Sequence, residues 1–300
     1  MPYRNLIVES NAELMVRNEQ LLIITDKIHS VPVEDINSLL IESAHSRITA
    51  AALAKLAQNG VTVFVCDKTH TPCAIILPFA QNSRNYGIIK AQESLTLPLC
   101  KKLWQQVVVS KINNQGKCLS LTGHSEAANQ LYEMAKTVFS GDTTNVEARA
   151  AKFYFRALFN DDFYRGDDVN INNRALNYGY AIIRGHIAQL IASYGFLPMK
   201  GIHHKNELNA YNLADDFIEP FRPLVDLFVA LENLTEEDLT PDLKRKLYNL
   251  LNMDIQCNQQ IYSVAFAAEL LIQSFVRCCL RKTKELDLPV LLPLNQHSYE

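Results

Sequence analysis

The hydrophobic pattern of this chain changes period about a third of the way along, and that change limits the folds open to it. Before Pro98, β-prone runs such as NLIVES, ELMVRN and QLLIITDK are separated by Ser-Asn-Ala and Asn-Glu, the punctuation of strands and tight turns. HSVPVEDINSLLIES adds another strand or two, with Pro32 suited to a sheet edge because it cannot donate to a ladder. Ser46-Arg47-Ile48-Thr49 predicts the opening of a helix through AAALAKLAQNG, closed by Gly60, and VTVFVCD and CAIILPF return to strand. From Leu99 to about Lys284 helical spacing takes over, with breaks expected at Gly116, Gly141, Asp167, Gly195–Pro198, Asn233 and Asn258. RALNYGYAIIRGHIAQLIASYG is apolar on nearly all sides and is expected in the core of a bundle.

These patterns predict an α+β chain: a β-rich domain with one helix over residues 1–96, an all-α-helical domain over 97–285, and an extended tail over 286–300 held at Pro289 and Pro293. Three hundred residues suffice for two such cores. The seven cysteines are dispersed and contain no C-x-x-C, which disfavours a disulfide framework or zinc ribbon and suits a reducing cytoplasm. Neither a signal-peptide pattern at MPYRNLIVES nor a membrane-spanning run is evident; the most apolar stretch, Ile261 to Phe275, is interrupted by Glu269 and Gln273. A net charge of −3 leaves any polyanion site to a local basic patch.

Chemistry concentrates in GIHHKNELNAYNLADDFIEPFRPLVD, residues 201–226. Asp216 and Glu219 lie three apart, so a helix puts both on one face, where they can share a cation. Leu213, Phe217, Ile218, Phe221, Leu224 and Leu227 make that helix apolar enough to be buried, and buried carboxylates need a partner or an ion. The competing reading of Asp215, Asp216 and Glu219 is a solvated face neutralised by Arg222. His203 and His204 stand just upstream, and spacing leaves them interchangeable as a ligand. Oxygen donors with one imidazole suit Mg²⁺ or Mn²⁺ better than structural zinc.

A second candidate is Glu147, early in the helix NVEARAAKFYFR, whose apolar face reads as Ala150, Ala151, Phe155 and Leu158. Such a glutamate is often a solvated residue favoured by the helix dipole. Its neighbours Arg149, Lys152 and Arg156 offer phosphate contacts beside a metal-bound carboxylate.

The runs NVEARAAKFYFRALF, INNRALNYGYAIIRG, GIHHKNELNAYNLADDFIEPFRPLVD and, earlier, PVEDINSLLIE with RITAAALAKLAQNGVTVFVCD occur in an order that resembles the CRISPR-associated integrases, the type II members above all. That resemblance implies Glu147, His204 and Glu219 as catalytic metal ligands for Mg²⁺ or Mn²⁺, with Asp216 a possible additional acidic residue; it selects His204 over His203 through the Asn-Glu that follows one residue on. It implies joining of the 3′-hydroxyl ends of captured DNA to a CRISPR repeat by transesterification. It also implies a homodimer through the β-rich domains, flanking a dimer of a small ferredoxin-like adaptor in a heterohexamer, with a further type II subunit and the effector nuclease as additional partners. Double-stranded DNA of arbitrary sequence would be gripped through its phosphates, for which Arg149, Lys152, Arg156, Arg165, Lys205 and Arg222 are candidates, with Arg174, Arg184, Lys200, Arg277, Arg281, Lys282 and Lys284 as further cations. Tyr164, Tyr178 and Tyr180 are candidates for base stacking or core packing. The alternative is a stand-alone metal-dependent nuclease acting on branched or single-stranded DNA, with the same ligands and water as nucleophile. A non-catalytic DNA-binding scaffold, its carboxylates serving only as salt bridges, is the remaining rival.

Overall fold

The computed structural model describes residues 4–67, 72–76, 85–167, 169–232, 234 and 239–298. Two compact units are formed, one from the described residues of 1–84 with 192–195, the other from the described residues of 85–191 and 196–300.

The first unit carries β1 (Arg4–Val8), β2 (Glu13–Arg17), β3 (Gln20–Ile24), β4 (Ile28–Pro32), β5 (Ile36–Ile41), β6 (Arg47–Ile48), helix α1 (Ala50–Gln58), β7 (Thr62–Cys66) and β8 (Pro72–Ile76). They form two four-stranded sheets, ordered β1-β5-β7-β8 and β4-β3-β2-β6. Pro32 ends β4 at the sheet edge, as its missing N–H demands. Asn18 and Glu19, at φ 50° and 62°, make the two-residue turn from β2 to β3, the left-handed pair that matches strand twist. Leu14, Leu21, Leu39, Leu56 and Val63 are buried in one core. The helix runs through the expected AAALAKLAQNG from Ala50, capped by Thr49, whose side chain accepts from Ala52 N, while Arg47–Ile48 pair with β2. The Leu77–Phe79 end of the expected CAIILPF strand lies outside the described residues.

The second unit holds α2 (Asn85–Glu93), α3 (Leu97–Leu121), α4 (Ser125–Lys136), α5 (Val146–Leu158), α6 (Ile171–Ser193), α7 (Asn212–Ile218), α8 (Arg222–Glu232), α9 (Pro241–Tyr248), β9 (Met253–Cys257), β10 (Gln260–Ser263), α10 (Val264–Cys279) and β11 (Val290–Gln296). Because α2 belongs here, the division falls after residue 84, ahead of the expected 96. The chain is α+β, with the strand-rich region first and the helical region second. No helix among the described residues is long and apolar enough to cross a membrane.

Three expectations need correction. The helix is not broken at Gly116; α3 runs through it, because the glycine is a notch for Tyr132, whose ring carbon would stand 2.5 Å from an added Cβ. The helical region is not all-helical: β9 and β10 form a hairpin whose turn, Asn258–Gln259, has φ 49° and 67°. The expected extended tail is, within its described residues 286–298, a sheet strand instead: β11 pairs antiparallel with β9. The break at Asn233 lies outside the described residues, while those at Gly141, Asp167 and Gly195–Pro198 fall in turns between helices. Helix α3 is the frame of this unit, packing against α4, α5, α8, β11 and the 3-10 turn Glu219–Phe221.

Candidate active site

Pro220 and Pro223 interrupt what would be one helix from Asn212 to Glu232. Neither can donate its N–H to the preceding turn, so the chain tightens into the 3-10 turn at Glu219–Phe221 between α7 and α8. The Pro220 carbonyl is held from α3 by Asn114 Nδ2 at 2.8 Å. Glu219 opens this turn, buried, with its side chain 8% exposed. Arg222 Nε donates to Glu219 Oε1 at 2.9 Å, and the Lys111 ammonium of α3 lies 2.5 Å from Glu219 Oε2. That ammonium is the partner of Oε2, so both oxygens of the buried carboxylate face a cation.

Glu147 reaches the same ammonium from another element. The turn before α5 puts Asp142 and Asn145 in the left-handed region, φ 47° and 52°, which lets the Asp142 carboxylate accept Val146 N at 2.8 Å and Glu147 N at 3.0 Å. Asp142 thus caps α5 and fixes where Glu147 departs. The helix buries Val146, Ala150, Tyr154 and Leu158 rather than the expected face through Ala151 and Phe155, because Tyr154 turns inward to donate to Asp226 Oδ2 at 2.9 Å. Glu147 Oε1 meets Lys111 Nζ. One ammonium therefore bridges the two candidate carboxylates.

Electrostatics follow the contacts. Burial would push the Glu219 carboxyl up, but Arg222 and Lys111 outweigh it and hold it down at about 2. Burial likewise disfavours the charged Lys111, yet Glu219 and Glu147 raise its pKa above the ordinary lysine value. The Arg222 guanidinium packs over the Tyr180 ring at 4.5 Å, and Arg165 packs on that ring at 5.5 Å. Tyr180 and Tyr154 both donate to the buried Asp226, whose pKa burial raises to about 6 against those two hydrogen bonds.

The histidine segment is organised by Asp216. Fully buried on α7, its carboxylate accepts Ile202 N at 2.6 Å, His203 N at 3.1 Å, His204 N at 3.1 Å and His204 Nδ1 at 2.8 Å. The hydrogen bond to Asp216 raises the His204 pKa against the effect of burial, whereas burial lowers that of His203. Gly201 permits the approach: a Cβ there would stand 2.6 Å from Asp216 Oδ2. The two rings differ in setting. His203 stacks on Trp104 of α3 with centroids 4.1 Å apart, while His204 meets the same indole edge-on at 5.6 Å.

Asp216 and Glu219, placed on one face by their spacing, have separate partners here. One fastens the histidine loop and the other holds Lys111 and Arg222. Among the described residues no three His, Cys, Asp or Glu side chains are gathered closely enough to hold one metal ion as they stand. The donor chemistry nonetheless fits a hard divalent ion. Two carboxylates converge on one cationic position, and His204 has its Nδ1 engaged by a carboxylate, the usual support for an Nε2 ligand.

The other expected residues divide by exposure. Arg149, Lys152 and Arg156 line the exposed side of α5, and Lys205 is exposed beside His204. Arg165 is tied to Asn173 and, at 2.9 Å, to Asn177; Arg184 is paired with Asp215 and Arg277 with Asp287. Tyr178 and Tyr180 are core residues, while Tyr164 is 72% exposed. Sequence reading missed Trp104, Lys111, Asn114 and Gln115, all on α3. The signal lay in their spacing: Trp104, Lys111 and Gln115 continue the apolar stripe of Val107, Val108 and Ile112, and a charge inside such a stripe marks a buried partner.

A protein-family model described as "CRISPR associated protein Cas1" matches residues 6–248. The chain is 42% identical over 305 residues to the "CRISPR-associated endonuclease Cas1" of Neisseria meningitidis serogroup C (strain 8013), covering 100% of both proteins. Among solved structures it is similar to a "Casposase bound to integration product", with TM-score 0.74, 19% identity and coverage of 94% of this chain and 92% of that one. It is also similar to a chain of a "Cas6-RT-Cas1--Cas2 complex", with TM-score 0.73, 18% identity and coverage of 95% of this chain and 36% of that one. At these identities the two structures establish a shared fold.

Proposed function

Since the chain belongs to the CRISPR-associated Cas1 family, we propose that it is the DNA endonuclease and integrase of CRISPR adaptation, and that it joins the 3′-hydroxyl ends of captured DNA to the repeat by metal-dependent transesterification. The observation that carries this reading is the convergence of Glu147 and Glu219, from separate elements, on one cationic position. Glu147, Glu219 and His204 would hold Mg²⁺ or Mn²⁺. Such an ion would supply Lewis-acid activation of the phosphodiester and of the attacking hydroxyl.

The chain's own residues prepare that chemistry. Asp216 holds the proton of His204 on Nδ1 and leaves Nε2 as the donor atom. Arg222, tied to Glu219 through Nε, keeps its Nη groups for a phosphate oxygen. The exposed Arg149, Lys152 and Arg156 on α5, with Lys205, offer a track for the backbone of arbitrary-sequence DNA. A homodimer and further type II partners are part of the same reading, as is a Cas2-type adaptor, which the structural neighbour from a "Cas6-RT-Cas1--Cas2 complex" supports.

The test is an integration assay with purified protein, its adaptor, a 3′-hydroxyl DNA fragment, a repeat-bearing plasmid, Mn²⁺ or Mg²⁺, and a Glu147→Ala control. Metal-dependent joined products that disappear in the control support the reading. Metal-dependent cutting without joining supports the stand-alone nuclease instead.

A further inference from the structure

Lys111 stands where a metal ion would neutralise Glu147 and Glu219, and the two cations cannot occupy that position together. Its side chain is 9% exposed, with the ammonium on Glu147 Oε1 and 2.5 Å from Glu219 Oε2. Without a cation between them, the two carboxylates would repel each other across a poorly solvated gap and part. The ammonium keeps them convergent. If it left, it would need another acceptor within reach of its four-carbon stem.

One is present. A cavity of about 170 Å³ opens beside Lys111, lined also by Gln115, by the carboxylates of Glu219 and Asp226, and by the guanidiniums of Arg165 and Arg222 that those acidic and amide groups offset. Gln115 follows Lys111 by four residues on α3, so the two side chains stack on one face of the helix. Gln115 is 2% exposed, and its Oε1 is buried with no hydrogen-bond partner among the described residues. A buried amide oxygen without a donor costs free energy and is uncommon in folded proteins. Here it borders a space into which a displaced ammonium can move.

We propose that Lys111 is a two-position lysine, holding the Glu147–Glu219 pair together as its resident cation and yielding that place to a divalent ion by swinging to Gln115 Oε1. This rests on the metal-site reading above. Lys111 is then a positioning residue: it preserves the ligand geometry before the metal arrives and competes with the metal for it. Gln115 favours metal binding by receiving the ammonium.

Mn²⁺ titration of the full-length protein tests this, with quenching of Trp104 as the readout and calorimetry beside it. Trp104 is the only tryptophan, and its ring stacks on His203 and meets His204. Lys111→Met is expected to bind Mn²⁺ about tenfold more tightly than wild type, because removing the competing ammonium outweighs losing the convergence it maintains. Gln115→Leu is expected to bind it several-fold more weakly. Opposite signs are what two residues serving only to pack the core would not give. If Lys111→Met binds Mn²⁺ no more tightly while Glu147→Gln still weakens binding, the metal site stands and the exchange is overturned. If Mn²⁺ binding is indifferent to Glu147→Gln, the metal-site reading falls and the exchange with it. Should Lys111→Met fail to fold, Gln115→Leu decides, and unchanged affinity in that variant overturns the proposal.

Discussion

Asp216 Oδ1 stands 2.8 Å from His204 Nδ1, and the same carboxylate gathers the backbone N–H groups of Ile202, His203 and His204. One buried side chain thus sets both the path of the loop and the orientation of its imidazole. Asp216→Asn turns one of the two carboxylate oxygens into an amide donor that faces two of those four donors. Strand joining is expected to fall by about 10–100-fold, with DNA binding retained; joining kinetics beside a DNA-binding isotherm check this.

Gly201→Ala attacks the same arrangement from the other side. The new Cβ would stand 2.6 Å from Asp216 Oδ2 and 2.6 Å from the His204 carbonyl, and neither atom can retreat without releasing the loop. A stability loss of about 1–3 kcal/mol is expected, with joining reduced to the level of Asp216→Asn and an unchanged far-ultraviolet circular dichroism spectrum. Full joining activity would show that the loop tolerates displacement.

Glu147 and Glu219 should separate in stability although both are needed for joining. Glu219→Ala leaves Arg222 without its carboxylate and Lys111 with only one, and breaking a buried pair costs about 3–5 kcal/mol. Glu147 is 28% exposed, and in Glu147→Ala Lys111 keeps Glu219, so a loss of about 1 kcal/mol is expected. Urea denaturation of both variants measures the difference. For this reason Glu147→Ala is the better control for chemistry.

Asp226 makes stability depend on pH in a predictable direction. Its carboxyl is raised by burial from 3.8 to about 6 in the folded protein, so the native state binds the proton more tightly than the unfolded chain. Its contribution is fully present below pH 4 and is lost as pH rises through about 6, amounting to roughly 2–3 kcal/mol. Asp226→Asn is expected to flatten that part of the stability profile between pH 4 and 7. An unaltered profile would remove Asp226 as its source.

The exposed cations of α5 should act through phosphates alone. Lys152→Ala and Arg156→Ala are each expected to reduce the slope of log affinity against log salt by about one, uniformly across DNA sequences. Titrations at several salt concentrations decide this, and an unchanged slope would place both residues away from the DNA.

The strands of the first unit were legible because alternation and turn residues agree there, as at Asn18–Glu19 between β2 and β3. The second hairpin, β9–β10, was hidden because its strands of five and four residues lie between helical runs, where local spacing is ambiguous. Gly116 misled for a different reason: whether a helical glycine is a break or a notch depends on what packs against it, here Tyr132 from α4. In the site, Glu219 and its burial followed from the apolar residues around it. The partition between Asp216 and Glu219 did not, since Pro220 and Pro223, both beyond Glu219, tighten the chain into a 3-10 turn that starts at Glu219 and leaves Asp216 on the helix before it. Lys111 is distant in sequence from every carboxylate it touches, and only folding reveals that α3 runs beneath them.

Asn114 joins parts of the chain that would otherwise be edited separately. Its Oδ1 accepts Leu291 N at 3.0 Å, and its Nδ2 donates to the carbonyls of Pro289 at 3.0 Å and Pro220 at 2.8 Å. Shortening the protein from its carboxyl end is therefore not a neutral trim. A deletion beginning at Pro289 strips one strand from its sheet and leaves Asn114 fastened only to the carbonyl next to Glu219. A purification handle or fusion partner at that end keeps the knot tied only if residues 289–296 stay intact.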